Sequence, residues 1–183
     1  MIITQINFNN THLIKPKIFN DIRGLFFESF NSQKLNSIFK TNIVQTNHSF
    51  SKKNVIRGIH FQHKKPQHQF FYVAYGAFKV VLVDFRTNSQ TFLKKKYLNL
   101  NHQNPLLIHT PPGVGTSFLS LNKENIMVYL VSKQYDPKTE MGILWNDPTL
   151  NIKWNCKNPL VSKKDLSNLL VKDIEFNNFN FVN

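Results

Sequence analysis

Cysteine occurs once in the 183 residues, at Cys156. A lone thiol excludes an intrachain disulfide and a zinc site built on cysteines. No run of 18 apolar residues exists, so no membrane-spanning helix and no membrane partner are expected. The N-terminal stretch MIITQI lacks a basic region, a long apolar stretch and a small-residue cleavage site, which predicts no signal peptide and a cytoplasmic protein. Acidic residues are also scarce: 10 Asp and Glu stand against 23 Lys and Arg, for a net charge of +13.

That charge would attract a polyanion or a small phosphorylated substrate. The basic residues, however, fall in short dispersed runs: Lys52–Lys53, Lys64–Lys65, Lys94–Lys96 and Lys163–Lys164. No basic helix, zinc finger, helix-turn-helix or RNA-recognition signature accompanies them, so no nucleic-acid partner is expected. Asparagine is abundant (24, against 6 glycines), and an A/T-rich coding bias yields the same Asn and Lys excess without selection for charge.

What is present suits a folded chain. Hydrophobic residues make up 41%, with 17 Phe. The length predicts one domain over 1–183, with 171–183 as a C-terminal tail. No internal repeat, linker or second core is visible. Short runs rich in Val, Ile, Phe and Tyr lie between turn signals at Gln69–Tyr75, Phe78–Phe85, Lys96–Leu100, Leu106–His109 and Ile126–Ser132. Such runs read as strands of a sandwich or barrel. Phe78–Phe85 is nearly continuous in apolar character, which predicts a central strand. Helix signals are confined to Asn31–Phe39, with Asn31 as N-cap and Leu35, Ile38 and Phe39 on one face, and to Ser162–Leu170, with Ser162 as N-cap and Asp165 at N3. Asp173–Asn183 reads as a last strand or a loose end.

Seven histidines raise the question of a metal. His60 and His63 are three apart, and on a strand such residues point to opposite sides, so no metal site is assigned. On a regular strand over Val55–Gln62, Arg57, Ile59 and Phe61 would share one face, and Ile56, Gly58, His60 and Gln62 the other. Gly58 would then leave open space beside the His60 imidazole.

Several blocks, in order from Phe19 to Asp165, resemble the dTDP-4-dehydrorhamnose 3,5-epimerases and related nucleotide-sugar epimerases. FNDIRGLFFESF (19–30) is similar to the D-x-R-G-x-F-x-E of that family, VQTNHS (44–49) to Q-D-N-x-S, and NVIRGIHFQ (54–62) to V-L-R-G-L-H-x-Q. VDFR (83–86) with Ser89, the Pro-Pro-Gly turn at Pro111, EMGILWND (140–147), IKW (152–154) and SKKD (162–165) follow.

The resemblance implies a mainly β, cupin-like double-stranded β-helix (jelly-roll) barrel with a few short helices. It implies a homodimer whose N-terminal strands cross between subunits, and neither metal nor redox cofactor. The implied substrate is a nucleoside-diphosphate 4-keto-6-deoxy sugar, hexose or heptose, in surface-polysaccharide biosynthesis. Its 4-keto group acidifies the protons on C3 and C5. By this resemblance His60 is the base, Asp165 its hydrogen-bonding partner and Tyr129 the acid on the opposite face. Arg57 lies near the sugar. Arg23, Glu28, Gln45, Asn47, Glu140 and Lys164 match positions that contact nucleotide, diphosphate or sugar, and Phe26 supports the nucleotide.

The chain departs from the pattern on the substrate face. Gln69 stands where the family has a lysine that stabilises the C4 enolate oxygen, and Thr116 where a substrate-contacting His is expected. Val80 replaces an Asp, Tyr72 an Arg, and Gln134 the first aromatic of a Y-Y-x-P turn. A base and acid kept within an altered pocket imply a different sugar, or epimerisation at only one carbon. Two other readings follow: a paralogue that binds nucleotide sugar without efficient turnover, and a 3,4-ketoisomerase on the same barrel. The ketoisomerases resemble R-G-x-H-A-H, which Gln62 does not match.

Overall fold

The computed structural model describes residues 1–8 and 10–181. Two antiparallel sheets face each other. The first has six strands: β1 (Ile2–Gln5), β2 (His12–Lys15), β5 (Gln45–Lys52), β7 (Gln69–Tyr75), β10 (Leu107–Thr110) and β12 (Glu124–Val131), in the order β1-β2-β10-β7-β12-β5. The second has five: β6 (Ile56–Gln62), β8 (Ala77–Asp84), β9 (Lys95–Asn101), β11 (Val114–Ser120) and β13 (Glu140–Gly142), in the order β13-β6-β11-β8-β9. This is the expected cupin-like jelly-roll. A separate hairpin, β3 (Ile18–Asp21) with β4 (Gly24–Phe27), pairs with neither sheet.

Apolar residues cover three faces rather than one. Phe71, Val73, Phe78, Val80, Leu82 and Met127 pack between the sheets. Ile56, Ile59, Phe61, Val81, Val83 and Phe85 project from the outer face of the five-stranded sheet and are covered by Ile143, Leu150, Trp154 and Phe176 of the C-terminal third. Ile14, Phe70, Leu107 and Leu130 project from the outer face of the six-stranded sheet and meet Leu35 of helix α1 (Ser32–Phe39). Both faces of β8 are therefore buried, which is why 78–85 shows no polar alternation.

Asn31 caps α1 as expected, its side chain accepting from Lys34 N–H at 3.1 Å. Leu35 and Phe39 face the sheet, but Ile38 is exposed. The second helix, α2 (Lys163–Leu166), is one turn and ends well before Leu170. Ser162 caps it through Asp165 N–H at 3.0 Å. The tail is neither strand nor loose end. It makes two 3-10 turns, Val171–Asp173 and Phe176–Asn178, and Phe176 stacks on Phe85 with ring centroids 5.3 Å apart. The last two tail residues, 182 and 183, lie outside the described residues.

Candidate active site

β6 departs from the regular strand expected of it. His60 lies opposite Thr116 and Arg57 opposite Phe118 on β11, so Gly58 and Ile59 together face the single residue Ser117. This is a bulge. It reverses the alternation: Ile56, Ile59 and Phe61 turn outward to the core, while Arg57, His60 and Gln62 line the space between the sheets. Gly58 does not open room beside the imidazole. It has φ +93°, and a Cβ there would come within 2.5 Å of the Thr116 carbonyl oxygen. The glycine permits a close backbone approach, and the bulge swings Arg57 to the His60 side.

The result is a cavity of about 390 Å³ between the sheets. His60 enters from the five-stranded wall. Its Nε2 lies 2.6 Å from Asp165 Oδ1, and Asp165 Oδ2 accepts from Gly58 N–H at 3.4 Å. Burial pushes the Asp165 carboxyl up, but the His60 hydrogen bond and charge, with Gly58 N–H and Ser162, outweigh it and hold the group below its ordinary range. With Asp165 ionised, Nε2 carries the proton and Nδ1 keeps a lone pair for the cavity.

Tyr129 enters from the opposite wall, on β12 between Asn47 of β5 and Phe71 of β7. Burial raises its phenol above the ordinary value. Arg57 pulls the other way, and Glu140 and Tyr135 add to the rise. Thr116 Oγ1 donates to Gln69 Oε1 at 3.1 Å, so the two substituted positions form a neutral bridge from one sheet to the other. Arg57 is steadied by Ser51 Oγ at 3.2 Å and the Phe50 carbonyl at 3.0 Å. At one rim Lys164 pairs with Glu140, which raises the ammonium's pKa. Tyr135 OH donates to Glu140 Oε2 at 3.2 Å, Tyr135 N–H to Gln45 Oε1 at 2.9 Å, and Gln45 Nε2 to Asn47 Oδ1 at 2.8 Å.

Ten of the thirteen expected residues thus line one cavity: Gln45, Asn47, Arg57, His60, Gln69, Thr116, Tyr129, Glu140, Lys164 and Asp165. Three do not. Arg23 and Phe26 belong to the exposed β3–β4 hairpin, where Arg23 pairs with Asp21 at 2.5 Å. Glu28 follows that hairpin and binds Lys34 at 2.9 Å. Ser49, Gln62, Gln67 and Tyr135 also line the cavity and were not anticipated. Period-two alternation from Gln45 and Asn47 reaches Ser49, and alternation from Gln69 reaches Gln67. Ser49 Oγ and Gln67 Oε1 are buried with no hydrogen-bond partner among the described residues, so a ligand's polar groups would satisfy them. Among the described residues, no three His, Cys, Asp or Glu side chains converge as a metal site would need.

Known proteins share this architecture. The model of the family described as dTDP-4-dehydrorhamnose 3,5-epimerase matches residues 5–173. The dTDP-4-dehydrorhamnose 3,5-epimerase of Salmonella typhimurium is 37% identical over 169 residues, covering 90% of this chain and 92% of that one. The Legionella pneumophila dTDP-6-deoxy-D-glucose-3,5-epimerase, solved with dTDP-4-keto-L-rhamnose, superposes with a TM-score of 0.92 at 29% identity, covering 100% of this chain and 98% of that one. The Bacillus anthracis dTDP-4-dehydrorhamnose 3,5-epimerase, solved with TDP and pyrophosphate, gives a TM-score of 0.88 at 34% identity, covering 93% and 99%. On this evidence of sequence and shape the chain belongs to the dTDP-4-dehydrorhamnose 3,5-epimerase family of nucleotide-sugar epimerases.

Proposed function

We propose that this epimerase inverts C3, C5 or both of a thymidine-diphosphate 4-keto-6-deoxy sugar, with His60 as base and Tyr129 as acid. One observation carries the reading: the two groups project from opposite walls of one cavity. A sugar ring lying between them presents one face to each. His60 Nδ1 takes the proton from the carbon beside the carbonyl. The C–H electron pair becomes a C=C bond, and the carbonyl π electrons move onto the C4 oxygen. Tyr129 then delivers its proton to the same carbon from the other face, and the oxygen's charge returns as the carbonyl re-forms. A phenol is a weak acid at neutral pH, and burial makes it weaker. It therefore donates only to a strongly basic enolate carbon, and the phenolate it becomes is favoured by the charge of Arg57 until a proton returns from solvent. Asp165 holds the imidazole and stabilises the imidazolium.

The diphosphate falls within reach of Arg57 and Lys164, the two cationic side chains lining the cavity among the described residues. Arg23, Phe26 and Glu28 enter the reading through a second copy of the chain. The β3–β4 hairpin pairs with neither sheet and leaves Phe19, Ile22, Leu25 and Phe26 exposed, and β5 is an edge strand, paired on one side only. An apolar hairpin and a bare edge on one molecule favour a homodimer in which each hairpin reaches its partner's cavity. No helix among the described residues is long and apolar enough to cross a membrane, and we place the reaction in the cytoplasm.

The test is incubation with thymidine-diphosphate 4-keto-6-deoxyglucose in deuterated water. NMR should show deuterium entering at C3, C5 or both. His60→Asn should abolish exchange at every sugar carbon, with a rate loss of about a thousandfold or more. Near-normal exchange in His60→Asn would remove the base from the mechanism.

A further inference from the structure

A third side chain stands behind the His60–Asp165 pair. After α2 the chain turns and runs parallel to the end of β13: Ile143 bridges Leu169, and Leu144 N–H donates to the Leu169 carbonyl at 2.9 Å. One residue earlier, Gly142 pairs with His60. The register sets Asn168 directly against Gly142. A Cβ on Gly142 would come within 2.2 Å of Asn168 Oδ1 and 2.3 Å of its Cγ. The backbone at Gly142 is outside the left-handed region, so conformation does not call for glycine there. The Asn168 amide does, because it occupies the space a side chain would fill.

That amide reaches the catalytic pair. Asn168 Nδ2 donates to Asp165 Oδ1 at 3.5 Å, the same oxygen that accepts from His60 Nε2 at 2.6 Å. Asp165 belongs to a helix of only one turn, which has little rigidity of its own. Ser162 fixes its backbone and Gly58 N–H its other carboxylate oxygen. Asn168 supplies the remaining restraint and is itself wedged against β13, the strand beside His60. We propose that Asn168 is a positioning residue: seated in the gap left by Gly142, it holds the Asp165 carboxylate in line with His60. This rests on the epimerase reading above, in which His60 must be both oriented and basic.

The charged and titratable groups around His60 are Asp165 and Lys164 on α2, Glu140 on β13, Arg57 on β6, Tyr129 on β12 and Tyr135 just after it. None is altered in the variants that follow. Asn168→Ala should lower kcat for deuterium exchange about five- to tenfold with little change in KM. Gly142→Ala should cost about as much as Asn168→Ala in the wild-type background, and nothing further once Asn168 is Ala. A merely structural Asn168 would change melting temperature and leave kcat, measured well below that temperature, unchanged. An unchanged kcat in Asn168→Ala, or a Gly142→Ala loss that is the same in both backgrounds, would overturn the proposal. Wild-type protein that exchanges no proton of the 4-keto sugar would overturn the epimerase reading, and this inference with it. Exchange in the wild type with unaltered variants would overturn this inference alone.

Discussion

Two segments that match the family's motifs have opposite fates in the folded chain. Residues 54–62 lead into and form β6, clamped between β11 and β13, backed by Phe61 on Phe85 at 4.7 Å, and bulged so that Arg57 and His60 share a cavity. Residues 19–30 run through the β3–β4 hairpin, which pairs with neither sheet, meets the six-stranded one through Phe27 on Tyr72 at 6.3 Å, and leaves Phe26 and Ile22 in the open. The first segment is built into its own site. The second has residues of the right type and no cavity within its own chain. A motif therefore identifies residue types without saying where in the fold they converge.

The sharpest way to break the first half of this contrast is at Gly58. A side chain there meets the Thr116 carbonyl at 2.5 Å and is forced into φ +93°. Gly58→Ala should destabilise the protein by about 2–4 kcal/mol, and should cut kcat about a hundredfold or more by turning Arg57 and His60. Urea midpoints and exchange rates measure both. A variant as stable and active as the wild type would mean that the bulge does not set the site.

The second half is tested at the hairpin. Arg23→Ala and Phe26→Ala should raise KM about ten- to thirtyfold and leave kcat within about twofold, since in the proposed dimer they would bind the nucleotide and not touch the reacting carbon. Mixing His60→Asn with a hairpin double variant, after mild dissociation and reassociation, should then restore near-normal KM in a minority of sites. A hairpin that served its own chain's cavity would give no such recovery.

The sequence made strands legible where both faces or one face are regularly buried. β7 agrees residue for residue with the expected Gln69–Tyr75, and β8 and β12 lie within two residues at each end. It failed where tertiary contact overrides pattern. β1, β3 and β4 have mostly exposed residues, and β2, at four residues, is too short to show an alternation. α2 stops after one turn, because the chain beyond it is drawn into register with Ile143. The reversal of faces in β6 depends on one residue of slip, and a slip of one exchanges every side chain between faces. Most of the site was legible through motifs, yet Asn168 was not. Its role arises from a parallel bridge between segments 26 residues apart, Ile143 to Leu169, which no local spacing announces.

A sharper comparison of the two cavity walls comes from Gln69. It lies on the six-stranded wall and is tied across the cavity by the Thr116 hydroxyl. An amide offers the enolate oxygen a dipole, and a lysine would offer a full charge. Gln69→Lys should raise kcat about tenfold on an accepted 4-keto sugar, with KM little changed, since about 1.4 kcal/mol of transition-state stabilisation gives that factor. An unchanged or lower kcat would mean that Arg57 or another donor already holds the oxygen.

The smallest effect separates the two outer faces. The face covered by the C-terminal third is apolar, whereas the face under α1 carries a chain of histidines. His68 Nδ1 lies 2.9 Å from His109 Nε2, and His109 Nδ1 lies 3.2 Å from His12 Nδ1. His12 in turn meets the Asn10 backbone. Each shared proton can sit between two nitrogens only while the rings are neutral, because an added proton sets two N–H groups head to head. Burial depresses His68 to about 4, with Lys133 adding to the shift, and depresses His109 to about 2, with His68 and His12 adding. At pH 7 these rings are neutral in both the folded and unfolded states, so stability is full. As pH falls through the ordinary value near 6.5, the unfolded chain takes up protons that the folded chain refuses, until about pH 4 for His68. Each of the two should therefore cost up to about 1.4 kcal/mol per pH unit below 6.5. Urea midpoints at pH 7, 6 and 5 should fall steadily, and His109→Gln should flatten the fall while keeping a hydrogen-bonding amide in place. Equal midpoints at pH 7 and pH 5 would show that these rings accept protons in the folded state. The α1 face would then be no more sensitive to acid than the face beneath the C-terminal third.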